Sequence, residues 1–155
     1  MRQILRIFLL LSLAILTQAC SDDATTPEQE IERFIETAVE AGENRSVDGL
    51  TELVHTGFVD QQGRNRGQFE LLLRGYFIRH KNIHLFTRID NIEILGDNQA
   101  SVHLHVAMAG SVIADIDALA ALRARIYRFE LQLVKQPDWR LRQANWAPAR
   151  IGDLE

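Results

Sequence analysis

The sequence of 155 residues contains a single cysteine, Cys20. One cysteine cannot form a disulfide within a chain, so the hydrophobic core alone must stabilise the fold, even in an oxidising compartment. A lone thiol could also be a catalytic or redox group. The residues around Cys20, however, indicate a different role.

Long apolar runs are also missing. The longest, residues 7–16, spans ten positions, whereas a membrane-spanning helix needs about 20 apolar residues. This run follows Arg2 and Arg6, and Ala19 stands directly before Cys20. Basic residues, a short apolar run and a small residue in this order are typical of a cleaved signal peptide.

The junction at Ala19-Cys20 resembles the lipobox of bacterial lipoproteins, in which the cysteine is acylated and becomes the new N-terminus after cleavage. Thr17 and Gln18 depart from that box, which usually has leucine and a small residue there. An ordinary secretory signal with an incidental cysteine is the alternative.

The lipobox resemblance implies a signal peptide over residues 1–19 and a lipidated tether over residues 20–26. Acyl chains such as palmitate on Cys20 would hold the protein on a membrane surface rather than across it. Ser21 favours sorting to the outer membrane of the bacterial cell envelope, facing the periplasm.

Basic residues are too few for a polyanionic partner. The chain carries 17 basic and 21 acidic residues, and removal of Arg2 and Arg6 leaves 15 against 21, a net charge of −6. This balance argues against a nucleic-acid partner and against a polybasic contact with anionic lipid.

Three stretches in the first half of the chain carry helix signals. Thr26, Pro27 and Gln29 have the pattern of an N-cap, a first-turn proline and a capping box. Ser46 can cap a second, short helix. Apolar residues recur at helical spacing in the first and third stretches. They are Ile31, Phe34, Ile35, Ala38 and Val39, then Phe69, Leu72, Leu73, Tyr76 and Phe77.

The second half of the chain has the alternation of β-strands. The predicted strands are residues 83–95, 99–109, 125–135 and 139–146, after a brief extended piece at residues 57–60. Residues 110–122 are either a loop or a helical turn. Apolar and polar faces separate cleanly in residues 99–109, where His103 and His105 lie on the polar face. Phe34, Leu72, Leu104 and Phe129 are predicted core residues.

Helices followed by antiparallel strands, each with one apolar face, predict an α+β domain with helices on one side of a sheet. The order of elements resembles the nuclear transport factor 2-like superfamily, which includes the SnoaL-like polyketide cyclases. The motifs that carry this resemblance are the Gly96-Asp97-x-x-Ala100 hairpin, the strand Trp139-Arg140-Leu141 and the closing Trp146-x-Pro148.

This resemblance implies a single domain over residues 27–155. In that family about three N-terminal helices pack on a curved, mainly antiparallel sheet, a cystatin-like cone around a pocket that is often found as a dimer. Architectural motifs of this kind support a fold and do not specify an activity.

Enzymes of this superfamily place a pocket histidine in the first long strand, and His84 occupies that place. As a base for a small carbonyl compound it would need an acid such as Tyr76 or Tyr127. The first helix and the inward face of residues 99–109 offer only apolar side chains. A histidine bonded to backbone or water at the strand edge is the alternative.

His103 and His105 project from the same side of one strand. A shared zinc ion would need a third ligand, such as Glu130 or His84, and no spacing demands one. The alternative is an exposed pair or a pair at a homodimer interface formed by the outer face of the sheet. We therefore predict no metal site and no cofactor.

Other polar and aromatic residues could contact a ligand. Asp60 could face the mouth of the cone, and Arg64 and Arg66 could hold an anionic ligand, although a solvated turn explains all three. A second set could line a pocket wall or could belong to the core. Its members are Tyr76, Tyr127 and Trp146.

Two functions from different classes follow. The first is a lipid-anchored, non-catalytic domain that binds a small apolar ligand or a protein partner of the cell envelope. The second is a lyase or isomerase of the SnoaL-like type with His84 as its base. A cavity on which His84 and a tyrosine hydroxyl converge would favour the enzyme.

Overall fold

The structure, a computed structural model, describes residues 25–114, 116–122 and 124–154. The predicted signal peptide, Cys20 and most of the predicted tether lie outside the described residues, so those assignments stay predictions.

The first two helices begin where the sequence predicts, and the third begins inside residues 61–67, which were predicted to form a loop. Helix α1 (Pro27–Glu43) is capped by Thr26, which accepts a hydrogen bond from the amide of Gln29 and completes a capping box with its side chain. Ser46 caps the short helix α2 (Val47–Glu52). Helix α3 (Arg66–Arg79) starts with a second capping box, formed by Asn65 and Gln68. Each box satisfies amide groups that a helix start leaves without partners.

Five strands form one sheet. They are β1 (Val54–Asp60), β2 (His84–Ile94), β3 (Gln99–Ala109), β4 (Arg125–Lys135) and β5 (Trp139–Ala149). Their order is β1-β5-β4-β3-β2, and every neighbouring pair is antiparallel except β1 with β5. The register shifts at Ile89/Asn91 and at Gln132/Leu133. Such irregularities bend strands, which lets the sheet wrap around the helices.

Helix α1 is fixed to the β4–β5 hairpin by Glu30. Its Oε2 accepts from Nζ of Lys135 at 2.5 Å and from the indole Nε1 of Trp139 at 2.9 Å. The hydrogen bond from Lys135, followed by that from Trp139, keeps the pKa of Glu30 below its ordinary value. This contact holds the helix layer on the sheet at one end of the domain.

The core lies between the helices and the inner face of the sheet. It includes Ile31 and Phe34 from α1, Val102 and Leu104 from β3 and Leu133 from β4, all buried. Phe129 is half-buried and packs against this cluster. Leu72, by contrast, is 37% exposed. Its prediction as a core residue is wrong, because this part of α3 stands away from the sheet and borders an open cavity.

The outer face of the sheet differs from the predicted continuous polar surface. Residues 110–122 include a short helix, α4 (Ile116–Ala121), and a 3-10 helix follows β5 at Ile151–Leu154. Leu119 of α4 packs with Ala107 and Ile126, and all three are buried. These segments cover one end of the outer face, so an alternating strand pattern alone predicts too much exposed surface.

Two strand boundaries also differ from the predictions. Strand β1 begins at Val54 rather than Gly57, and β5 continues to Ala149 rather than ending at Trp146. Pairing with β5 and β4 supplies hydrogen bonds that local propensity does not reveal. Among the described residues, no helix is long and apolar enough to cross a membrane.

Candidate functional site

A cavity of about 610 Å³ lies between α3 and the inner face of the sheet. We call it the apolar cavity. Most of its lining is apolar or aromatic: Ala38, Gly42, Leu50, Phe69, Leu72, Leu73, Tyr76, Phe77, Ile83, Leu85, Val106, Met108, Tyr127, Phe129 and Trp146. Three polar or charged residues, Gln62, Arg64 and Arg79, complete it. Its volume is within the range of about 300–1,000 Å³ for small-molecule sites.

The alternation of the strands places the aromatic wall of the cavity. Tyr127 and Phe129 are two positions apart on β4, so they share its inner face. Trp146 on β5 is the register partner of Phe129, and their ring centroids lie 6.1 Å apart. Tyr127 and Trp146, for which the sequence left a pocket wall and the core as alternatives, both line the apolar cavity.

The C-terminal end of helix α1 forms one side of the apolar cavity. A Cβ atom at Gly42 would lie 3.0 Å from Cδ1 of Leu85 on β2, closer than side chains tolerate without adjustment. The backbone amide of Leu85 donates to the carboxylate of Glu43 at 2.8 Å. Glycine thus permits a close approach between helix and strand at the cavity wall.

The turn between β1 and α3 positions Arg64 at the cavity. Oδ1 of Asp60 accepts from the amides of Gln62 and Arg64, and Oδ2 accepts from Nε of Arg64 at 2.6 Å. Gly63 completes the turn with a φ of 75°, which favours glycine. The guanidinium of Arg64 lies over the ring of Trp146, 5.5 Å from its centroid.

Asp60 is the anchor of this turn rather than a residue of the cavity wall. Its side chain is fully buried. Burial on its own would raise the pKa of Asp60, but the hydrogen bonds from the side chain and amide of Arg64 and from the amide of Gln62 together hold it below the ordinary value of 3.8. Asp60 is therefore ionised at neutral pH, and it compensates the charge of Arg64.

A smaller pocket of about 190 Å³ adjoins the apolar cavity, and the two share Tyr76, Ile83 and Met108 as lining residues. We call it the polar subpocket. Its polar groups come from Tyr76, His80, Asn82 and Arg125. The rings of Tyr76 and His80 stack with their centroids 4.2 Å apart, which fixes both at the end of α3.

The hydroxyl of Tyr76 lies at the junction of the two pockets. It donates to Sδ of Met108 at 3.8 Å, and a thioether is a weak acceptor. Burial raises the pKa of Tyr76 above its ordinary value of 10.0, although the nearby charge of Arg125 opposes this shift. At neutral pH Tyr76 is therefore a protonated donor whose acceptor is a poor one.

His84 does not line the apolar cavity or the polar subpocket. Its neighbours Ile83 and Leu85 line the apolar cavity, so the alternation of β2 directs His84 to the opposite face. The structure therefore does not bring His84 together with Tyr76 or Tyr127 in one cavity.

Arg66 also lies away from the apolar cavity. Its guanidinium donates through Nε and Nη2 to the carbonyl oxygen of Thr51, at 3.2 and 2.9 Å. These bonds hold the start of α3 against α2. Of the three turn residues proposed from the sequence, only Arg64 lines the cavity.

The two histidines of β3 have different surroundings. His105 is buried, and its Nδ1 lies 2.8 Å from Oδ2 of Asp90 without hydrogen-bond geometry. His103 is half-buried and is the register partner of Glu130. Within the described part of the chain, no group of three histidine, cysteine, aspartate or glutamate side chains could hold a metal ion.

Arg79 and Arg125 were not among the candidates from the sequence. Arg79 lines the apolar cavity from the last turn of α3, and Arg125 lines the polar subpocket at the start of β4. Arg125 has the same strand parity as Tyr127 and Phe129. That shared parity was the signal that could have placed it on the cavity side.

Comparison with known proteins identifies the fold. A candidate scytalone dehydratase from Novosphingobium aromaticivorans is similar with a TM-score of 0.65 and 14% identity, over 79% of this chain and 84% of that one. An NTF-2 like protein of unknown function from Shewanella oneidensis is similar with a TM-score of 0.57 and 15% identity, over 78% and 98%. The fold is thus the α+β, cystatin-like fold of NTF2-like proteins.

A third similar structure belongs to a larger protein. Bd1075 of Bdellovibrio bacteriovorus matches with a TM-score of 0.64 and 15% identity over 78% of this chain, but the match spans only 41% of Bd1075. No family model and no curated protein matches the sequence. Identities this low establish the fold alone, and the function must be argued from the site.

Proposed function

We propose that this domain binds a small, largely apolar ligand in the apolar cavity and does not act on it chemically. The observation that carries this proposal is the composition of the cavity wall. Among the described residues that line it, aromatic and aliphatic side chains predominate, and none is a histidine, aspartate or glutamate. Apolar walls with a few placed polar groups are typical of ligand sites.

The same composition argues against acid–base catalysis. A general base must reach its proton within a hydrogen bond and must have a pKa near the working pH. Tyr76, the donor at the junction of the two pockets, has a pKa above 10.0 because it is buried. The arginines are always protonated. Groups with such pKa values are suited to holding a ligand and not to removing a proton from it.

The lyase or isomerase alternative draws its support from a neighbour of the same fold, the candidate scytalone dehydratase. In this chain that alternative needs a base beside the ligand. His80, in the adjoining subpocket, is stacked on Tyr76 with the ring centroids 4.2 Å apart and does not line the apolar cavity. His84 would have to leave the opposite face of β2, and Asp60 would have to leave Arg64 at 2.6 Å. Neither movement has support in the contacts of these residues.

The proposal includes a position at the bacterial envelope. The apolar run of residues 7–16 and the Ala19-Cys20 junction support acylation at Cys20. A tether over residues 20–26 spans at most about 25 Å when fully extended, so the domain would stay close to the membrane surface. The ligand would then be one that partitions between the membrane and the aqueous phase.

Binding of a neutral apolar dye such as Nile red tests this proposal. We expect the purified protein to raise the fluorescence of the dye in a saturable manner. Replacement of Leu73, which lines the cavity, by tryptophan should narrow the site and weaken binding. Leu71 on the same helix is 68% exposed and does not line the cavity. Leu71→Trp is therefore the matched control.

Two results would contradict the proposal. One is equal dye binding by Leu73→Trp and Leu71→Trp, provided that thermal melts show both variants folded. The other is turnover of a small carbonyl compound by the wild-type protein that is lost in His84→Ala, which would favour the enzyme.

A further inference from the structure

The charges around the two pockets are not balanced, and this imbalance bears on the chemistry of the ligand. Three arginines line the pockets: Arg64, Arg79 and Arg125. Arg64 is neutralised by the buried carboxylate of Asp60. No ion pair joins Arg79 or Arg125 to any acidic side chain in the described part of the chain.

The polar subpocket presents hydrogen-bond donors. Arg125 has guanidinium N–H groups, Asn82 has an amide NH₂, and Tyr76 has a hydroxyl whose acceptor is the thioether of Met108. None of the described residues that line this subpocket is acidic. Several donors beside a cation that has no ion pair with a described acidic side chain form the arrangement that binds a carboxylate or a phosphate through charge-assisted hydrogen bonds.

The apolar cavity and the polar subpocket are contiguous, so a single ligand molecule can occupy both. The polar subpocket shares Tyr76, Ile83 and Met108 with the apolar cavity. An apolar body in the cavity can therefore continue directly into a head group beside Arg125. Arg79, at the last turn of α3, lines the cavity and adds a second cation that forms no ion pair with the acidic side chains that the structure describes.

We infer that the ligand is an amphipathic anion, with its apolar chain in the apolar cavity and its carboxylate or phosphate head in the polar subpocket. This inference rests on the proposed function, because it assigns the head group of the same ligand. Arg125 holds the head, and Tyr76 and Asn82 orient it by hydrogen bonds, while Arg79 adds positive charge from the adjoining cavity. Arg64 contributes no net charge, because Asp60 compensates it.

Four probes with the same chain test the inference: dodecanoate, dodecyl phosphate, dodecanol and dodecylamine. Each is titrated against Nile red bound to the full-length protein carrying Cys20→Ser, which has no acyl chains of its own. We expect at least one of the two anions to displace the dye at about tenfold lower concentration than dodecanol, as charged hydrogen bonds predict. Dodecylamine should be the weakest. The tighter of the two anions identifies the head group.

The variant Arg125→Gln, which changes the subpocket and not the lining of the apolar cavity, should bind Nile red like the parent protein and lose the preference for anions. Arg128 lies on the same strand as Arg125, is exposed and has the opposite parity. Arg128→Gln is therefore the control that lowers the net charge equally without changing the subpocket, and it should keep the preference.

The outcomes separate this inference from the proposed function. Absence of Nile red binding would reject the apolar site itself. Normal dye binding with equal displacement by dodecanol and both anions would reject the anionic head and leave the apolar site standing. Survival of the preference in Arg125→Gln would also reject the inference, because the head would then be held elsewhere.

Discussion

Arg64 donates from Nε to Oδ2 of Asp60 at 2.6 Å, and the same guanidinium lies over Trp146 at the cavity wall. A fully buried carboxylate thus fixes a cation that is part of the candidate site. The side chain of Gln61 in the same turn bonds the carbonyl oxygen and the amide of Trp146, at 2.8 and 2.9 Å, so the turn is joined directly to the cavity wall on β5. Folding of this turn and formation of the site wall are therefore coupled.

Replacement of Asp60 by asparagine tests the coupling. The substitution removes the charged acceptor of two amides, those of Gln62 and Arg64, and of the Arg64 guanidinium. We therefore expect the free energy of unfolding at pH 7 to fall by about 1–3 kcal/mol. Urea unfolding measures it. Asp138→Asn is the control, because its side chain is 78% exposed and its contact with Arg140 is long, at 3.8 Å.

The sign of the pH dependence follows from the pKa of Asp60. Because the folded state lowers this pKa below 3.8, its contribution to stability is fully present above that value and is lost as the pH falls through the folded value. The difference in the free energy of unfolding between wild type and Asp60→Asn should therefore become smaller below pH 3.8. A difference that stays constant down to pH 2 would contradict this account.

The contrast between Leu104 and Leu72 tests the position of the core. Leu104 on β3 is 3% exposed, whereas Leu72 is 37% exposed at the cavity. Leu104→Ala should destabilise the protein by about 2–5 kcal/mol, because it leaves a void in a packed core. Leu72→Ala should lower the free energy of unfolding by less than half of that amount. Thermal unfolding of both variants decides it, and equal losses would place Leu72 in the core after all.

Acylation at Cys20 stays a prediction. Metabolic labelling with a fatty-acid analogue should mark the wild-type protein, and Cys20→Ser should abolish the label and release the protein from the membrane fraction. Ser21→Ala, which leaves the thiol in place, should keep the label. Equal labelling of wild type and Cys20→Ser would reject the lipoprotein interpretation.

A homodimer through the outer face of the sheet also stays a prediction. The end of this face near His103 and Glu130 is not part of the cluster that packs under α4. If two copies meet there, Glu130→Arg should shift the sedimentation of the protein from dimer to monomer. Asp97→Arg, in the exposed β2–β3 turn, should not. A wild-type protein that sediments as a monomer would contradict the prediction.

Local signals in the sequence determined the helix starts and the strand faces. Thr26 with Gln29, and Ser46, cap helices as predicted because capping involves residues only three positions apart. Strand β3 spans the predicted residues 99–109, and β4 spans 125–135, because strict alternation is a property of neighbouring residues. The same alternation puts Tyr127 and Phe129 on one face of β4, whereas the sequence left open whether that face borders a pocket.

Only the tertiary structure decided which polar residues meet. His84 was the leading catalytic candidate, but strand parity directs it away from the cavity, and the parity of β2 was not evident in a stretch without clear alternation. Arg79 and Arg125 lie 46 positions apart in the sequence, and only the packing of whole elements brings them to adjoining pockets. Burial of Ala107 likewise depends on chain that follows it, because Leu119 of α4 and Ile151 pack with it on the outer face of the sheet. Capping and alternation are set by near neighbours and can be read from a sequence, whereas a site made of distant residues depends on how whole elements pack.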